Sequence, residues 1–319
     1  MLNVLALIIS SKRRFSPLDN EGNQMKTVRI LLVLCFLGVA IVMNLFARQQ
    51  VQAALSAKDT ATLSYEDEIN KWHQKHIAGL KAQGWLSLVG LDWLDEGRNS
   101  IKSLGTLTLD KGTATLQVRP EVQPTVGGNP FRSGIVHIEV GNDKPDRIEV
   151  GSRASIIIKV GDRYALRTWD SNAETLKDFT GIDRFPVSKR WRIEARWEPY
   201  ASPKTIKFAT VVDGYLEDHD VPGAAVFTVT GQEFKLEPVS LGPKRLILIF
   251  ADKTNGKETY GAGRFLFADP PNDGKLVIDF NKSFNPPCAF SPYATCPLPP
   301  ASNRLPTRIE AGEMNFTYH

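Results

Sequence analysis

The chain has 319 residues, of which 42% are hydrophobic and 23% are charged, a balance that excludes a largely disordered protein. Its formal net charge of +4 comes from residues 1–53, which hold six lysines and arginines against two acids, whereas the remainder has 33 basic and 33 acidic side chains. A neutral domain has no overall electrostatic attraction to nucleic acid, so we expect no nucleic-acid partner.

The longest apolar run lies near the N-terminus and predicts a membrane-targeting segment. Residues 30–47 read ILLVLCFLGVAIVMNLFA and are about long enough to cross the hydrocarbon core, which takes roughly 20 helical residues. Lys26 and Arg29 precede the run closely and only Arg48 follows it, so we expect the N-terminus to stay in the cytoplasm. Residues 1–53 are therefore predicted to be a leader that places the rest of the chain in an extracytoplasmic location, periplasmic or at the cell surface.

Two fates of this leader are open. If Met25 is the translation start, the segment has the features of a signal peptide, with Val51 and Ala53 as the small residues read before cleavage after Ala53. If the segment is retained, residues 30–47 are a signal anchor and the membrane is a partner of the protein. Residues 54–63 are small and polar and are predicted to be a linker.

The segment after the linker has the pattern of one amphipathic helix. Ser64 can cap its N-terminus, and the acidic residues that follow favour the positive end of the helix dipole. Apolar side chains recur at helical spacing as far as Leu80, and Gly84 is predicted to end the helix. His73 and His76 could face one metal ion from this helix, but packing against their apolar neighbours is the interpretation we favour, and we predict no metal site and no cofactor.

From Trp85 onward, short apolar runs alternate with turn residues, which is typical of antiparallel β structure. The clearest strands are 107–109, 114–116, 134–140, 147–150, 155–160, 164–168, 191–197, 245–250, 258–266 and 276–280. Residues 191–197 alternate between apolar and charged side chains. Turn residues predict hairpins at 110–112, 141–143 and 161–162, and Asn255 and Gly256 give the strongest hairpin signal, because both residues accept positive φ. We predict one mainly β domain over residues 64–319, an antiparallel β-sandwich or open barrel with the N-terminal helix packed on it.

The tract from Asp279 to Pro300 differs in kind from the predicted strands. It is too rich in proline for central strands and too rich in aromatic residues and cysteine for a loose linker. We expect an ordered Pro-rich loop laid over the domain, and long ordered loops are often functional.

Four stretches carry a resemblance to the domain of unknown function 1684 family. They are GWLSLVGLDWLDEGRNSIKS from Gly84, FPVSKRWRIEARWEPY from Phe185, DKTNGKETYGAGRFL from Asp252 and DFNKSFNPPCAFSPYATCPLPPASNRLPTRIEAGE from Asp279. The resemblance extends from about Tyr65 to the end of the chain. It implies a single domain and directs attention to the C-terminal motif, but it brings no assigned activity.

Cys288 and Cys296 are the two cysteines outside the leader. In an oxidising compartment a pair this close usually forms a disulfide, which would stabilise the domain by roughly 2–3 kcal/mol at most because the closed loop is short. A metal pair, a catalytic thiol and two free buried thiols are the alternatives.

Polar residues around the C-terminal tract are the candidates for a ligand site. Arg264 lies on a predicted strand, and Asp279 and Asn281 end the following one, so we expect Arg264 and Asp279 on adjacent strands. Arg264 would then clamp a ligand carboxylate or phosphate, or form a structural ion pair with Asp279. The further candidates for contact with a small ligand are Tyr260, Asn303, Glu310 and Glu313.

Three functions fit these features. The first is an extracytoplasmic module that binds a small ligand or has a structural role, with its site near the Pro-rich loop; the absence of a nucleophile elbow, a P-loop and a zinc-protease motif from the sequence favours it. The second is an enzyme, a hydrolase in the first instance, that uses Asp279, Arg264 and Glu310. The third is a thiol-redox protein that uses Cys288 and Cys296.

Overall fold

The N-terminal helix begins and ends where the sequence predicts. The computed structural model describes Arg48 and residues 64–140 and 144–316, and its first long helix is α1 (Tyr65–Gln83). The Ser64 hydroxyl accepts a hydrogen bond from the Asp67 backbone N–H, and the Asp67 carboxylate accepts one from the Ser64 N–H. Gly84 ends the helix in the left-handed region at φ +82°. A short helix, α2 (Glu174–Lys177), occurs later in the chain.

The mainly β class is confirmed, since the described residues form seventeen strands in antiparallel sheets that include a half-barrel. Two of the four sheets lie in the N-terminal half. One has the strand order β1 (Leu88–Leu94), β10 (Arg163–Asp170), β9 (Arg153–Val160), β8 (Ile148–Val150), β5 (Thr125–Val126) and β6 (Asn129–Pro130). The other has the order β2 (Gly97–Ile101), β3 (Gly105–Asp110), β4 (Thr113–Val118) and β7 (Ser133–Val136).

The other two sheets lie in the C-terminal half and carry the predicted site residues. The larger has the order β13 (Gln232–Leu236), β12 (Leu216–Val229), β11 (Arg192–Ala209) and β17 (Lys275–Asp279). The smaller has the order β14 (Val239–Ser240), β15 (Leu246–Phe250) and β16 (Arg264–Ala268). The long strand β11 pairs with β12 on one side and with the whole of β17 on the other, so it joins the start of the C-terminal tract to the sheet.

Two predicted hairpins are confirmed because local turn chemistry sets them. Strands β3 and β4 pair with Leu107 opposite Leu116, and their turn uses Lys111 and Gly112 at positive φ. Strands β9 and β10 pair across a turn at Gly161, which also has positive φ. The alternation predicted from residue 191 onward is likewise present at the start of β11.

One expected turn and two expected strand pairings are wrong. Residues 134–140 and 147–150 form no hairpin, because β7 pairs with β4 whereas β8 pairs with β5 and β9. Asn255 and Gly256 do not form a tight hairpin turn, since β15 pairs with β16 in a register that sets Phe250 opposite Arg264, and residues 251–263 form a longer loop. The Asn255 side chain stabilises that loop by donating to the Tyr260 carbonyl at 2.7 Å. The expectation that Arg264 and Asp279 lie on adjacent strands also fails, because β17 pairs with β11 and not with β16.

The Pro-rich tract is ordered and contributes to the core. Phe280 of the tract packs with the apolar face of the two C-terminal sheets, together with Leu305 and Ile309, which follow the tract; Phe280 and Ile309 have no exposed surface. The tract passes so close to β16 that a Cβ atom at Gly263 would lie 2.5 Å from the Pro299 side chain. The predicted loop is therefore ordered and packed directly against the β domain.

The predicted leader and linker, apart from Arg48, lie outside the described residues, so the leader stays a prediction. Residues from Ser64 onward form one compact unit. In the part of the chain that the structure describes, no helix is long and apolar enough to cross a membrane.

Candidate functional site

The structure distributes the polar residues of the C-terminal region over separate locations. Some lie in the interior as structural groups, some cluster at the end of β17 or beneath α1, and two form a thiol pair. Glu310 borders an open cleft that carries positive charge. Apart from the thiol pair, these locations bring together residues that are far apart in sequence.

Arg264 is a fully buried structural residue. Its guanidinium donates to the Asp252 carboxylate at 2.7 Å and to the Ile309 carbonyl at 2.9 Å, and it also donates to the Ala311 carbonyl. Because its side chain has no exposed surface, it does not reach a ligand in the solvent-accessible clefts. The ion pair that sequence reasoning assigned to Asp279 is made with Asp252 instead.

Asn303 is also buried and links three segments. Its amide nitrogen donates to the carbonyls of Glu237 and Ile249 at 2.9 and 3.0 Å, and its oxygen accepts from the Glu237 backbone N–H at 2.8 Å. These hydrogen bonds satisfy backbone groups that the short strands leave unpaired. The side chain therefore has a structural role.

Asp279 and Asn281 form a hydrogen-bonded cluster with Tyr65 of α1. The Tyr65 hydroxyl donates to Asp279 Oδ1 at 2.7 Å, and the Asn281 amide nitrogen donates to the Tyr65 oxygen at 2.8 Å. Asn281 is further held by Ser188, whose N–H donates to its oxygen at 3.0 Å. Burial, together with the hydrogen bond to Asp279, raises the pKa of Tyr65, so this hydroxyl remains a donor.

Glu313 lies beneath α1 and has no exposed surface. Its Oε2 accepts from the Asn285 backbone N–H at 2.8 Å, and its Oε1 lies 3.3 Å from Nε2 of both His73 and His76. His76 is stacked on Trp72 with ring centroids 5.4 Å apart. Burial lowers the pKa of His76, although the Glu313 carboxylate acts in the opposite direction. The two histidines thus pack helix α1 on the C-terminal tract.

Cys288 and Cys296 are free thiols in this structure and lie in contact. The Cys288 N–H donates to Cys296 Sγ at 3.2 Å, and the Tyr260 hydroxyl donates to the Cys288 carbonyl at 2.9 Å. The hydrogen bond from Cys296 lowers the pKa of Cys288, and the same bond together with burial raises the pKa of Cys296. The predicted disulfide is not formed here and stays a prediction for an oxidising compartment.

Glu310 borders a cleft of about 520 Å³ that is also lined by Arg190, Lys253 and Arg308, and we call it the basic cleft. Trp191 and the hydroxyl-bearing side chains Thr228, Thr230 and Thr307 complete most of its wall. The three cations outnumber the one acid of the lining by two.

The cations of the basic cleft differ in how far they are already neutralised. Arg308 donates to Glu258 at 2.7 Å and to Glu310 at 3.0 Å, and Arg190 lies 3.5 Å from Glu310. Lys253 forms no ion pair with any residue that the structure describes, while its backbone N–H donates to the Thr307 carbonyl at 2.8 Å. Its ammonium group is therefore free for a ligand.

Thr230 occupies a conformation that β-branched residues rarely adopt. It lines the basic cleft with φ +50°, in the left-handed region, and its hydroxyl donates to the Val229 carbonyl at 2.8 Å. Thr230 and Gly231 form the two-residue turn between β12 and β13, which requires positive φ at both positions, so turn geometry accounts for the conformation and sets Thr230 at the edge of the cleft.

Sequence reasoning missed three of the four charged residues of this cleft. Arg190, Lys253 and Arg308 each lie in a different one of the four family-like stretches, and those stretches meet only in the folded chain. Each of these stretches holds several lysines and arginines, so the sequence does not distinguish the cations that line the cleft from the others. Among the described residues, no group of three or more histidine, cysteine or acidic side chains is arranged to hold a metal ion.

Comparison with known proteins bears on the same region. The family model described as Protein of unknown function (DUF1684) matches residues 177–314. The chain belongs to this family. Three of the four family-like stretches lie inside the match, as do all four charged residues of the basic cleft, whereas the stretch from Gly84 lies before it.

One solved structure with detectable similarity is the solution NMR structure of an uncharacterized protein from Haloarcula marismortui. It is 30% identical over 44% of this chain and 80% of its own length, with a TM-score of 0.38. A comparison with curated proteins found no match.

The buried ion pair gives the first prediction. Replacing Arg264 with Met removes the partner of a buried carboxylate, so Arg264→Met is expected to lower the free energy of unfolding by about 3–5 kcal/mol. The double variant Arg264→Met/Asp252→Asn should recover part of this loss, because no uncompensated charge remains. Urea denaturation measures both values.

The matched control is Lys207→Met, which breaks the exposed pair between Lys207 and Asp218 on β11 and β12. It is expected to cost less than about 1 kcal/mol. Equal effects of Arg264→Met and Lys207→Met would show that the buried pair has no special role.

The histidine cluster gives a second prediction. Because the pKa of His76 is lower in the folded chain than the unfolded value of about 6.5, the unfolded state takes up its proton first. Stability contributed by neutral His76 is present above about pH 6.5 and is lost as the pH falls toward the folded pKa. His76→Gln should flatten this dependence, by at most about 1.4 kcal/mol per pH unit. Urea denaturation between pH 5 and 8, chosen to bracket about 6.5, measures it.

His137→Gln is the control, since His137 is exposed and pairs with Asp146. If both variants retained the pH dependence of the natural chain, His76 would not be its source.

Proposed function

We propose that residues 64–319 form an extracytoplasmic binding module for a small anionic ligand, which occupies the basic cleft. The observation that carries this proposal is the convergence of Arg190, Lys253 and Arg308, one from each of three family-like stretches, on one concave surface. Glu258 and Glu310 compensate the charges of Arg308 and Arg190, whereas the ammonium group of Lys253 has no acidic partner among the described residues. This remaining cation supports a site for negative charge.

The chemistry of the lining specifies the ligand as a carboxylate or phosphate ester. Arginine presents a planar array of donors that matches both groups, and the neighbouring threonine hydroxyls can donate to the remaining oxygens. Glu258 and Glu310 hold Arg308 from the side, which orients its guanidinium before a ligand arrives. A cleft of about 520 Å³ lies in the size range of small-molecule sites.

The hydrolase alternative has less support. It requires Asp279 to work with Glu310 as acid and base, but Asp279 borders a different cleft from Glu310. Arg264, its third residue, is buried against Asp252. A binding role requires none of these residues to meet.

The binding proposal predicts that the full-length protein binds inorganic phosphate or a small phosphate ester such as glycerol 3-phosphate. Lys253→Met is expected to weaken binding about tenfold or more, because a charge-assisted hydrogen bond is worth about 1.5–3 kcal/mol. Isothermal titration calorimetry at low salt measures the affinity, and added salt should weaken it.

Lys207→Met is the matched control, because it removes an exposed lysine from the same half of the chain without touching the cleft. Binding that is equal in both variants, or no binding of any anionic probe, would contradict the proposal.

The thiol pair has a structural role in this proposal. We infer that Cys288 and Cys296 transfer two electrons and two protons to the disulfide of a partner protein in the extracytoplasmic compartment. The two sulfur atoms then form a disulfide that closes the Pro-rich loop. Protein purified from that compartment is expected to weigh 2 Da less than after reduction, because a disulfide lacks the two thiol hydrogens. The single variants Cys288→Ser and Cys296→Ser should lose this difference. Fully reduced thiols in exported protein would contradict the inference.

A further inference from the structure

A second cleft of about 550 Å³, which we call the acidic cleft, lies where the first turn of α1 meets the ends of β11 and β17. Its charged lining residues are Glu68, Arg192, Glu194, Asp269, Asp273, Lys275, Asp279 and Lys282. The basic cleft shares none of these residues, so the two clefts are separate sites.

The charges of the acidic cleft leave a negative excess. Two of its acids are already neutralised, since Glu194 pairs with Lys275 at 2.9 Å and Glu68 pairs with Lys282 at 2.7 Å. Among the described residues of the lining, three aspartates then remain against Arg192 alone. The negative excess of two charges favours a cationic ligand.

Asp279 provides an independent sign that a ligand is missing. Its side chain is only 9% exposed, and its Oδ1 accepts from Tyr65 and Asn281. Its Oδ2 has no hydrogen-bond partner among the described residues. The nearest ammonium group is that of Lys282, which lines the same cleft at 3.9 Å and already donates to Glu68.

An unsatisfied buried carboxylate oxygen is costly, and native structures rarely leave one without a donor. Both Asp279 and Lys282 border the acidic cleft, so a ligand in it would lie beside the carboxylate that carries the unpaired oxygen. A donor supplied by that ligand would remove the cost.

The uncharged part of the wall describes the rest of the ligand. Phe267 and Val277 are 36% and 39% exposed, which is high for large apolar side chains, and both line the cleft. A ligand that covered them would bury apolar surface while its charge met the aspartates.

We propose that the acidic cleft binds an organic ammonium ion, in which a protonated amine donates to Asp279 and an attached apolar group covers Phe267 and Val277. An ammonium group has three donors and suits one carboxylate oxygen with acidic neighbours. A bare metal ion would leave the apolar wall unused, and among the described residues no metal-binding group is formed here.

The test uses hexylamine as the probe and the full-length protein, with hexanol as the uncharged probe of matched length. Ligand-observed NMR titration is expected to show hexylamine binding at least about tenfold tighter than hexanol, the ratio that one charge-assisted hydrogen bond provides. Asp279→Asn keeps an acceptor for Tyr65 but removes the charge, and it should reduce the preference for hexylamine by about tenfold.

Asp273→Asn provides a test that does not alter a buried residue, because Asp273 is exposed in a turn. Loss of its charge, which acts at longer range, should weaken hexylamine binding about twofold to fivefold. Glu233→Gln is the control, since it removes an exposed acid that does not line the cleft. Phosphate binding in the basic cleft should be unchanged in Asp279→Asn and Asp273→Asn. The experiments therefore test the proposals for the two clefts separately.

Equal binding of hexylamine and hexanol would overturn the proposal, as would hexylamine binding that neither Asp279→Asn nor Asp273→Asn changes. Tight binding of Ca²⁺ that Asp279→Asn abolishes, with no preference for hexylamine, would overturn it in favour of a metal site.

Discussion

The C-terminal half depends on one buried ion pair, that of Arg264 with Asp252. A buried charge is tolerated where an opposite charge and hydrogen bonds compensate it, and here the guanidinium also donates to the Ile309 and Ala311 carbonyls. The Asp252 carboxylate in turn accepts from the Ile309 backbone N–H at 3.2 Å. Since Lys253 follows Asp252 directly and Arg308 precedes Ile309, this pair also fixes the backbone that carries two cations of the basic cleft.

Helix α1 belongs to the same arrangement although it lies at the other end of the domain sequence. Its histidines meet the buried carboxylate of Glu313, and Tyr65 holds Asp279 in place. The buried carboxylates of Glu313 and Asp279 are costly unless polar groups of the helix meet them, so α1 contributes more than apolar contact. The helix therefore helps to build the acidic cleft, to which it also contributes Glu68.

The neutrality of the domain conceals a separation of charge. Equal numbers of basic and acidic side chains follow residue 53, yet one cleft collects an excess of cations and the other an excess of anions. Because the Debye length at physiological salt is about 8 Å, a ligand inside either cleft experiences the local excess and not the net charge. Net charge argues against general attraction to nucleic acid but says nothing about sites of this size.

The sequence by itself determined the features that neighbouring residues control. The caps at Ser64 and Gly84, the turn at Gly161 and the β alternation from residue 191 onward depend on contacts within a few residues, and the structure confirms them. The fold class and the order of the Pro-rich tract follow from the same local preferences. Only the tertiary structure decided which groups meet.

The partner of Arg264 and the position of the sites depend on contacts over long separations in sequence. Tyr65 and Asp279 are 214 positions apart, and Arg264 and Ile309 are 45 apart. A period of two residues shows that a strand has a buried face, but it does not show which strand lies beside it. For that reason the sequence identified Asp279 and Glu310 as functional candidates, whereas the folded chain alone assigned them to different clefts.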